Sequence, residues 1–160
     1  MSRDRKRCFS GHRAYWGAAL CCIALIAGIA APGHASSEIT VTNLNDSGAG
    51  SLRQAIVDSP DWGFVYFDES LDGTLTLTSG ELLIDKSLTI DGSDAAITID
   101  GNNASRIFNV FSSTATIDVT IANLKMENGY INDMMAMGGG IYCGDENLTL
   151  DHVSISSCNI

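Results

Sequence analysis

The feature that most constrains the fold of this chain is a short word of alternating apolar residues. The word places an apolar or β-branched residue, a threonine and a second apolar residue before a polar break. It occurs at 88–92, 97–101, 119–129 and 148–159, as LTIDG, ITIDG, VTIANLKMENG and LTLDHVSISSCN. Strict alternation of this kind predicts short strands with one buried face, each ended by a turn at Gly, Asn or Asp.

The spacing of the words predicts how the strands assemble. Thr89, Thr120 and Thr149 lie 31 and 29 residues apart, with no helical pattern between the words. Such a repeat favours a solenoid of stacked parallel strands. An antiparallel sandwich stays open as the alternative, because the 9-residue step from Leu88 to Ile97 suits a hairpin. In the solenoid, apolar positions point inward and aspartates point outward or into turns; these are Ile90, Ile99, Ile121 and Leu150, and Asp91, Asp100 and Asp151.

Residues 1–35 have the pattern of a signal peptide. A basic start that contains Arg3 and Arg13 precedes an apolar run at 16–31, and Pro32 and small residues follow. We expect cleavage after Ala35, and therefore export to the extracellular space or the outer-membrane surface. A membrane anchor is the alternative, although a span needs about 20 apolar residues.

Charge narrows the range of partners. The whole chain has a net charge of −10, and residues 36–160 hold four basic and eighteen acidic residues, a net charge of −14. Nucleic acid and anionic lipid both require a basic footprint, so this composition argues against them. Cys143 and Cys158 are the cysteines after residue 35, and two cysteines do not make a disulfide scaffold.

The segment at 36–60 differs from the repeats and predicts an N-terminal cap, followed by β-helix rungs at 61–160. Ser51 is a suitable helix N-cap, and Leu52, Ala55 and Ile56 form one apolar face at helical spacing. A stacked array needs such a cap to cover its first rung. The sequence shows no matching cap at its other end, so we expect the coil to continue beyond Ile160.

Several words together resemble a known group. The stretches at 39–56, 74–92, 97–110 and 138–159 are similar to bacterial exported proteins with a right-handed parallel β-helix. Gly50–Ala55, GSLRQA, resembles their Cys-Ser-Leu-Arg-Glu-Ala module, with Gly50 and Gln54 as departures. Gly138–Ile141, GGGI, resembles the repeats of polymorphic outer-membrane proteins and autotransporter passengers, without the companion Phe-x-x-Asn repeat. The resemblance implies a right-handed, all-β solenoid and a surface or secreted location.

Catalytic chemistry in such a coil requires converging carboxylates and a base. Four aspartates lie in or beside the words: Asp91, Asp100, Asp118 and Asp151. Four basic residues follow residue 35: Arg53, Lys86, Arg106 and Lys125. An aspartate before glycine is first a turn residue, and His152 is best explained as a solvated turn histidine. His152 with Cys143 and Cys158 makes a weak metal pattern, and the glycines at 138–140 suit a turn where coils pack closely.

The sequence therefore predicts a non-catalytic β-helix scaffold, adhesive or structural, with no assigned catalytic, cofactor-binding or metal residue. Its partners would be host-surface or extracellular polysaccharide or protein ligands. The alternative is the N-terminal part of a polysaccharide-active β-helix lyase or hydrolase. A calcium-stabilised scaffold that uses the aspartates is a third reading, and Met134, Met135 and Met137 could form a sticky patch for a partner.

Overall fold

The computed structural model describes residues 37–132 and 138–159. These residues form twelve strands and one short helix. The strands are β1 Glu38–Val41, β2 Gly63–Phe67, β3 Asp72–Thr76, β4 Leu82–Ile84, β5 Leu88–Asp91, β6 Ala96–Asp100, β7 Phe108–Val110, β8 Asp118–Ala122, β9 Lys125–Glu127, β10 Ile141–Cys143, β11 Asn147–Asp151 and β12 Ser154–Ser156, and the helix is α1 Leu52–Asp58.

The strands build three parallel sheets, which are the walls of one coil. The first wall has the order β1-β2-β5-β8-β11, the second β12-β9-β6-β3 and the third β10-β7-β4. Each complete turn of the chain adds one strand to every wall, and the coil makes about four turns. The chain is therefore a parallel β-helix, as predicted. The sandwich alternative is wrong, because β5 and β6 lie in different walls of one turn and do not pair with each other.

The register of the walls matches the repeated words. Thr89 pairs with Thr120, and Thr120 with Thr149, so the three threonines stack in one column. Ile90 and Ile121 pair in the next inward column and are fully buried, as is Ile99 in the second wall. Leu150 continues the column from Ile121 but is 44% exposed, since β11 is the outermost strand of its wall among the described residues.

Helix α1 forms where the sequence predicts it. The Ser51 side chain accepts a hydrogen bond from the Gln54 backbone N–H, which is the N-cap contact. Leu52, Ala55 and Ile56 are the buried residues of the helix. They face β1, β2 and β4, so the helix packs on the first turns of the coil.

Two residues with left-handed backbone begin the corner between the first and second walls in two successive turns. Asn123 follows β8 with φ of 56°, His152 follows β11 with φ of 51°, and one more residue precedes the next strand in each case. The words at 119–129 and 148–159 are thus two strands each. Asn123 is a lone polar residue between Ala122 and Leu124, and Asn and His are among the residues that tolerate left-handed backbone best.

The glycines at 138–140 lie where neighbouring turns approach closely, as predicted. Gly138 has φ of 74°, which favours glycine. A Cβ atom on Gly139 would collide with the carbonyl oxygen of Asn159 on the adjacent turn. The loop before these glycines, with Met134, Met135 and Met137, lies outside the described residues, as does the segment at 1–35. Within the described part, no helix has the length and apolarity needed to cross a membrane.

Candidate functional site

The aspartates of the repeated words hold corners together. The Asp91 Oδ1 atom accepts hydrogen bonds from the Ser93 backbone N–H at 2.9 Å and from Asn123 Nδ2, one turn along the coil, at 2.8 Å. Asp100 Oδ1 does the same with the Asn102 N–H and Asn128 Nδ2, at 2.8 and 3.1 Å. Their role as turn residues is confirmed.

The other two aspartates have separate contacts: Asp118 contacts the paired strand, and Asp151 contacts the next residue in the chain. Asp118 Oδ1 accepts from Asn147 Nδ2 at 3.0 Å, across the β8–β11 pair. Asp151 Oδ1 lies 2.7 Å from Nδ1 of His152, and both side chains are mostly exposed. The four aspartates therefore do not converge on one point of the described structure.

Two of the four basic residues secure helix α1. Arg53 Nη2 donates to Asp46 Oδ1 and to the Gly80 carbonyl, both at 2.7 Å, and Nη1 donates to the Glu81 carbonyl. Lys86 Nζ donates to the carbonyl oxygens of Val57 and Ser59 at the end of the helix, each at 3.0 Å. Neither side chain is available as a base.

Arg106 belongs to a second structural cluster, on the third wall. Its side chain is 7% exposed, with Nη1 3.5 Å from Glu81 Oε2. Its Nε donates to the Gly138 carbonyl at 2.9 Å, and the guanidinium lies 4.9 Å from the centroid of the Tyr142 ring. Asn109 Nδ2 donates to Glu81 Oε1 at 2.6 Å, so Glu81 bridges the cluster.

Lys125 is different, because it makes no ion pair or side-chain hydrogen bond with the described residues. It is exposed at the start of β9. Its register partners are Thr98 on one side and Ser154 on the other, and Thr98 pairs in turn with Thr74. A column of three hydroxyls and one ammonium thus runs along the outer face of the second wall.

This column lines a groove with a volume of about 510 Å³. We call it the Lys125 groove; it also contains Asp72, Ser93, Asn123 and His152. His152 is 79% exposed at its corner, as expected of a solvated turn histidine. Its position in the groove results from the stacking of successive turns of the coil, which cannot be seen in the local sequence. Lysine and protonatable imidazole next to hydroxyls suit a ligand with carboxylates and hydroxyls.

Within residues 37–132 and 138–159, no three His, Cys, Asp or Glu side chains lie close enough together to hold a metal ion. Cys143 and Cys158 are both free thiols there. The Cys143 thiol donates to the Glu146 carbonyl oxygen, and Cys158 Sγ accepts from the Gly129 N–H. His152 and the cysteines serve separate local contacts, and the first oxygen of each corner aspartate is already occupied by an asparagine.

The fold is that of a parallel β-helix protein, with a polar groove along one wall. Comparison with known sequences identifies three relatives. The chain is 35% identical over 127 residues to a protein named probable pectate lyase C from Aspergillus flavus, covering 78% of this chain and 27% of that protein. A protein of the same name from Aspergillus oryzae is 35% identical over 119 residues, covering 72% of this chain and 25% of that protein. A third, from Neosartorya fischeri, is 33% identical over 127 residues.

The chain spans about a quarter of the length of these curated relatives. No family model matches the chain, and no solved structure matches it. The relatives are fungal proteins, and the similarity to them fits a parallel β-helix. They do not show the bacterial origin or the N-terminal module that the resemblance at Gly50–Ala55 implies.

The relatives correct the functional expectation. The prediction of a non-catalytic chain is wrong, because all three relatives are named as lyases. They favour the alternative, a polysaccharide-active β-helix, over an adhesive scaffold. Composition and spacing did not indicate a lyase, because the repeated words lack the expected combination of a base and converging carboxylates. The similarity to the lyases extends over most of the chain and does not depend on those residues.

Proposed function

We propose that this chain forms β-helical rungs of a lyase that acts on an acidic polysaccharide of the pectate type. The observation that carries the proposal is the similarity over 78% of the chain to a protein named probable pectate lyase C, together with the parallel β-helix fold. Pectate is a chain of uronic acids, so its lyase must hold carboxylates and hydroxyls along an extended surface. The walls of the coil offer such surfaces.

The Lys125 groove is the part of the described structure best suited to that substrate. Lys125 brings a positive charge to a strongly acidic chain, and it has no ion-pair partner among residues 37–132 and 138–159. Thr74, Thr98 and Ser154 continue its column at the strand spacing of about 4.7–4.9 Å. We assign Lys125 the binding of a uronate carboxylate and the hydroxyl side chains the binding of sugar hydroxyls. Lys125 then positions the substrate, and the proton-abstracting base is not assigned.

A binding measurement tests the role of the groove. Hexagalacturonate should bind the full chain in isothermal titration calorimetry, and Lys125→Ala should weaken binding about tenfold, as expected for a lost charge-assisted contact. Lys125→Arg, which keeps the charge, should retain most of the affinity. Equal affinity in Lys125→Ala and the parent chain would refute this groove as the binding site.

Activity is tested separately. Incubation of the full chain with polygalacturonate should produce unsaturated uronates, which are detected by their ultraviolet absorbance. The reaction should be followed with and without added calcium. A folded chain that neither binds nor cleaves polygalacturonate would overturn the proposed function.

We also propose that the protein is exported, since a polymer of the cell wall lies outside the cell. The basic and apolar pattern of residues 1–35 supports this step. Mass spectrometry of protein from the culture medium should show a new N-terminus at Ser36. Intact Met1 on a membrane-bound product would contradict it.

A further inference from the structure

Strand β2 carries two aromatic rings on the outer face of the first wall. Phe64 and Tyr66 alternate with Gly63, Val65 and Phe67, which are buried in the coil. The two rings are nearly parallel, with an interplanar angle of 6° and centroids 6.1 Å apart, and both side chains stay partly exposed. The core does not require them, because Val65 and Phe67 already fill the inward positions.

The register surrounds these rings with hydrogen-bonding groups. Phe64 lies between Glu38 of β1 and Thr89 of β5, and Tyr66 lies between Thr40 and Asp91. Neighbouring strands are about 4.7–4.9 Å apart, so a carboxylate and a hydroxyl flank each ring within reach of one sugar unit. Aromatic residues on a sheet face are often explained by an aromatic partner on the neighbouring strand. Neither Phe64 nor Tyr66 has such a partner in the register of the first wall.

A hollow of about 470 Å³ adjoins this surface. Tyr66 and Thr40 line it, together with the carboxylates of Glu38, Asp68, Glu69 and Asp94, and its lining contains no basic residue. The local field is correspondingly negative: burial, together with Glu38, Asp91 and Asp94, raises the pKa of the Tyr66 phenol.

We propose that Phe64 and Tyr66, with their flanking carboxylates and hydroxyls, form a second carbohydrate-binding surface that takes a neutral hexose polysaccharide. The apolar faces of sugar rings stack on aromatic rings, and sugar hydroxyls donate to carboxylates, which are strong acceptors. We call it the Phe64–Tyr66 platform. It is distinct from the Lys125 groove in wall, residues and charge.

Charge decides the occupant. A polyuronate would bring one carboxylate per sugar against the carboxylates that rim the platform, and no cation there would offset the repulsion. Neutral hexoses offer the same stacking faces and hydroxyl donors without that cost. The platform would therefore attach the protein to a neutral polymer, while the Lys125 groove holds the acidic one.

The test uses the full chain and three hexamers: cellohexaose as the neutral probe, hexagalacturonate as the acidic one and a chitosan hexamer as the cationic one. Phe64→Thr/Tyr66→Thr removes both rings. Threonine is the residue found at Thr89 in the column of Phe64 and at Thr40 in the column of Tyr66, so the strand should be preserved. Phe111→Thr is the control, since Phe111 is an exposed aromatic in another part of the coil. Circular dichroism verifies the fold of each variant.

Cellohexaose should bind the parent chain and Phe111→Thr with equal affinity. Its affinity for the double variant should be lower by about tenfold or more. Hexagalacturonate binding should be unchanged in the double variant, which separates this proposal from the Lys125 groove. Failure of the folded parent to bind cellohexaose would overturn it, as would equal binding by the double variant. Tighter binding of the chitosan hexamer than of cellohexaose would show that the platform selects cations and would refute a neutral occupant.

Discussion

At the residue scale, the coil depends on positions where one side chain both permits an unusual backbone and bonds to the next turn. Asn123 has φ of 56°, in the left-handed region, and its Nδ2 donates to Asp91 Oδ1 one turn away. Asn128 repeats the arrangement with φ of 54° and a bond to Asp100. Left-handed backbone disfavours most residues by about 1–2 kcal/mol, and Asn is a common exception. One residue therefore bends the chain and links two turns.

Asn123 allows the two effects to be separated. Asn123→Ala loses both the tolerance for positive φ and the bond to Asp91, and we expect a loss of about 2 kcal/mol in the free energy of unfolding. Asn123→Gly keeps the backbone conformation and loses only the bond, so it should be destabilised less. Urea titration of the two variants checks the order. A glycine variant as unstable as the alanine variant would show that the backbone conformation contributes little.

At the element scale, polar contacts tie helix α1 and its preceding loop to the coil. Arg53 reaches the Gly80 and Glu81 carbonyls, and Asp46 accepts from Arg53 and, through Oδ2, from the Thr78 hydroxyl at 3.0 Å. We propose that residues 36–60 act as a cap whose apolar face covers the first turns, while these contacts set its position. Leu52 fills the apolar part of that contact and is fully buried.

Asp46 makes the cap sensitive to acid. Burial acts to raise its pKa, but hydrogen bonds from Arg53, Ser79 and Thr78 and the Arg53 charge outweigh it and lower the pKa from 3.8 to about 2. Since the folded-state pKa lies below the unfolded one, the stabilisation is present above about pH 4 and is lost as the pH falls towards 2.

Asp46→Asn should remove this contribution, about 1 kcal/mol after allowance for solvent screening, at neutral pH. The difference in thermal midpoint between the parent and the variant should shrink between pH 4 and pH 2. Asp145→Asn removes an exposed carboxylate and is the control. A difference that stays constant down to pH 2 would contradict the assigned role of Asp46.

At the scale of the whole molecule, stacked apolar columns hold the turns together. Val65, Ile90 and Ile121 lie in one column of the first wall and are fully buried. In the second wall, Leu75, Ile99 and Met126 do the same. Burial of each such side chain contributes roughly 1.5–3 kcal/mol. Ile90, Ile99 and Ile121 each pair with a residue of the turn before and of the turn after. A break in the middle of a column should therefore affect the whole coil.

Ile121→Asp places a charge inside such a column, and we expect the chain to be unfolded at 25 °C, since an unpaired buried carboxylate costs several kcal/mol beyond the lost burial. Thr120→Asp introduces the same charge one residue away on the outer face and should leave the fold intact. Far-UV circular dichroism distinguishes the two. A folded Ile121→Asp chain would show that the assigned inward register is wrong.

The local structure could be predicted from the sequence: the strands of the repeated words, the aspartate turns, the close approach at 138–140 and the capped helix at Ser51. These depend on alternation and on residue conformations, which are properties of short segments. The sequence predicted a turn at His152, but it did not reveal that Asn123 and His152 begin the corners between the first and second walls.

The grouping of side chains into sites depends on how the turns of the coil stack. Thr98, Lys125 and Ser154 are 27 and 29 residues apart, and they become neighbours because the lengths of the intervening loops place their strands in register. Nothing local distinguished Lys125 from Arg53, Lys86 or Arg106, whose partners are distant carbonyls and carboxylates. Phe64 and Tyr66 alternate with smaller or apolar residues in the sequence, but the flanking of Phe64 by Glu38 and Thr89 depends on pairing between turns. Alternation encodes which side of a strand is buried, whereas lateral register depends on the whole coil.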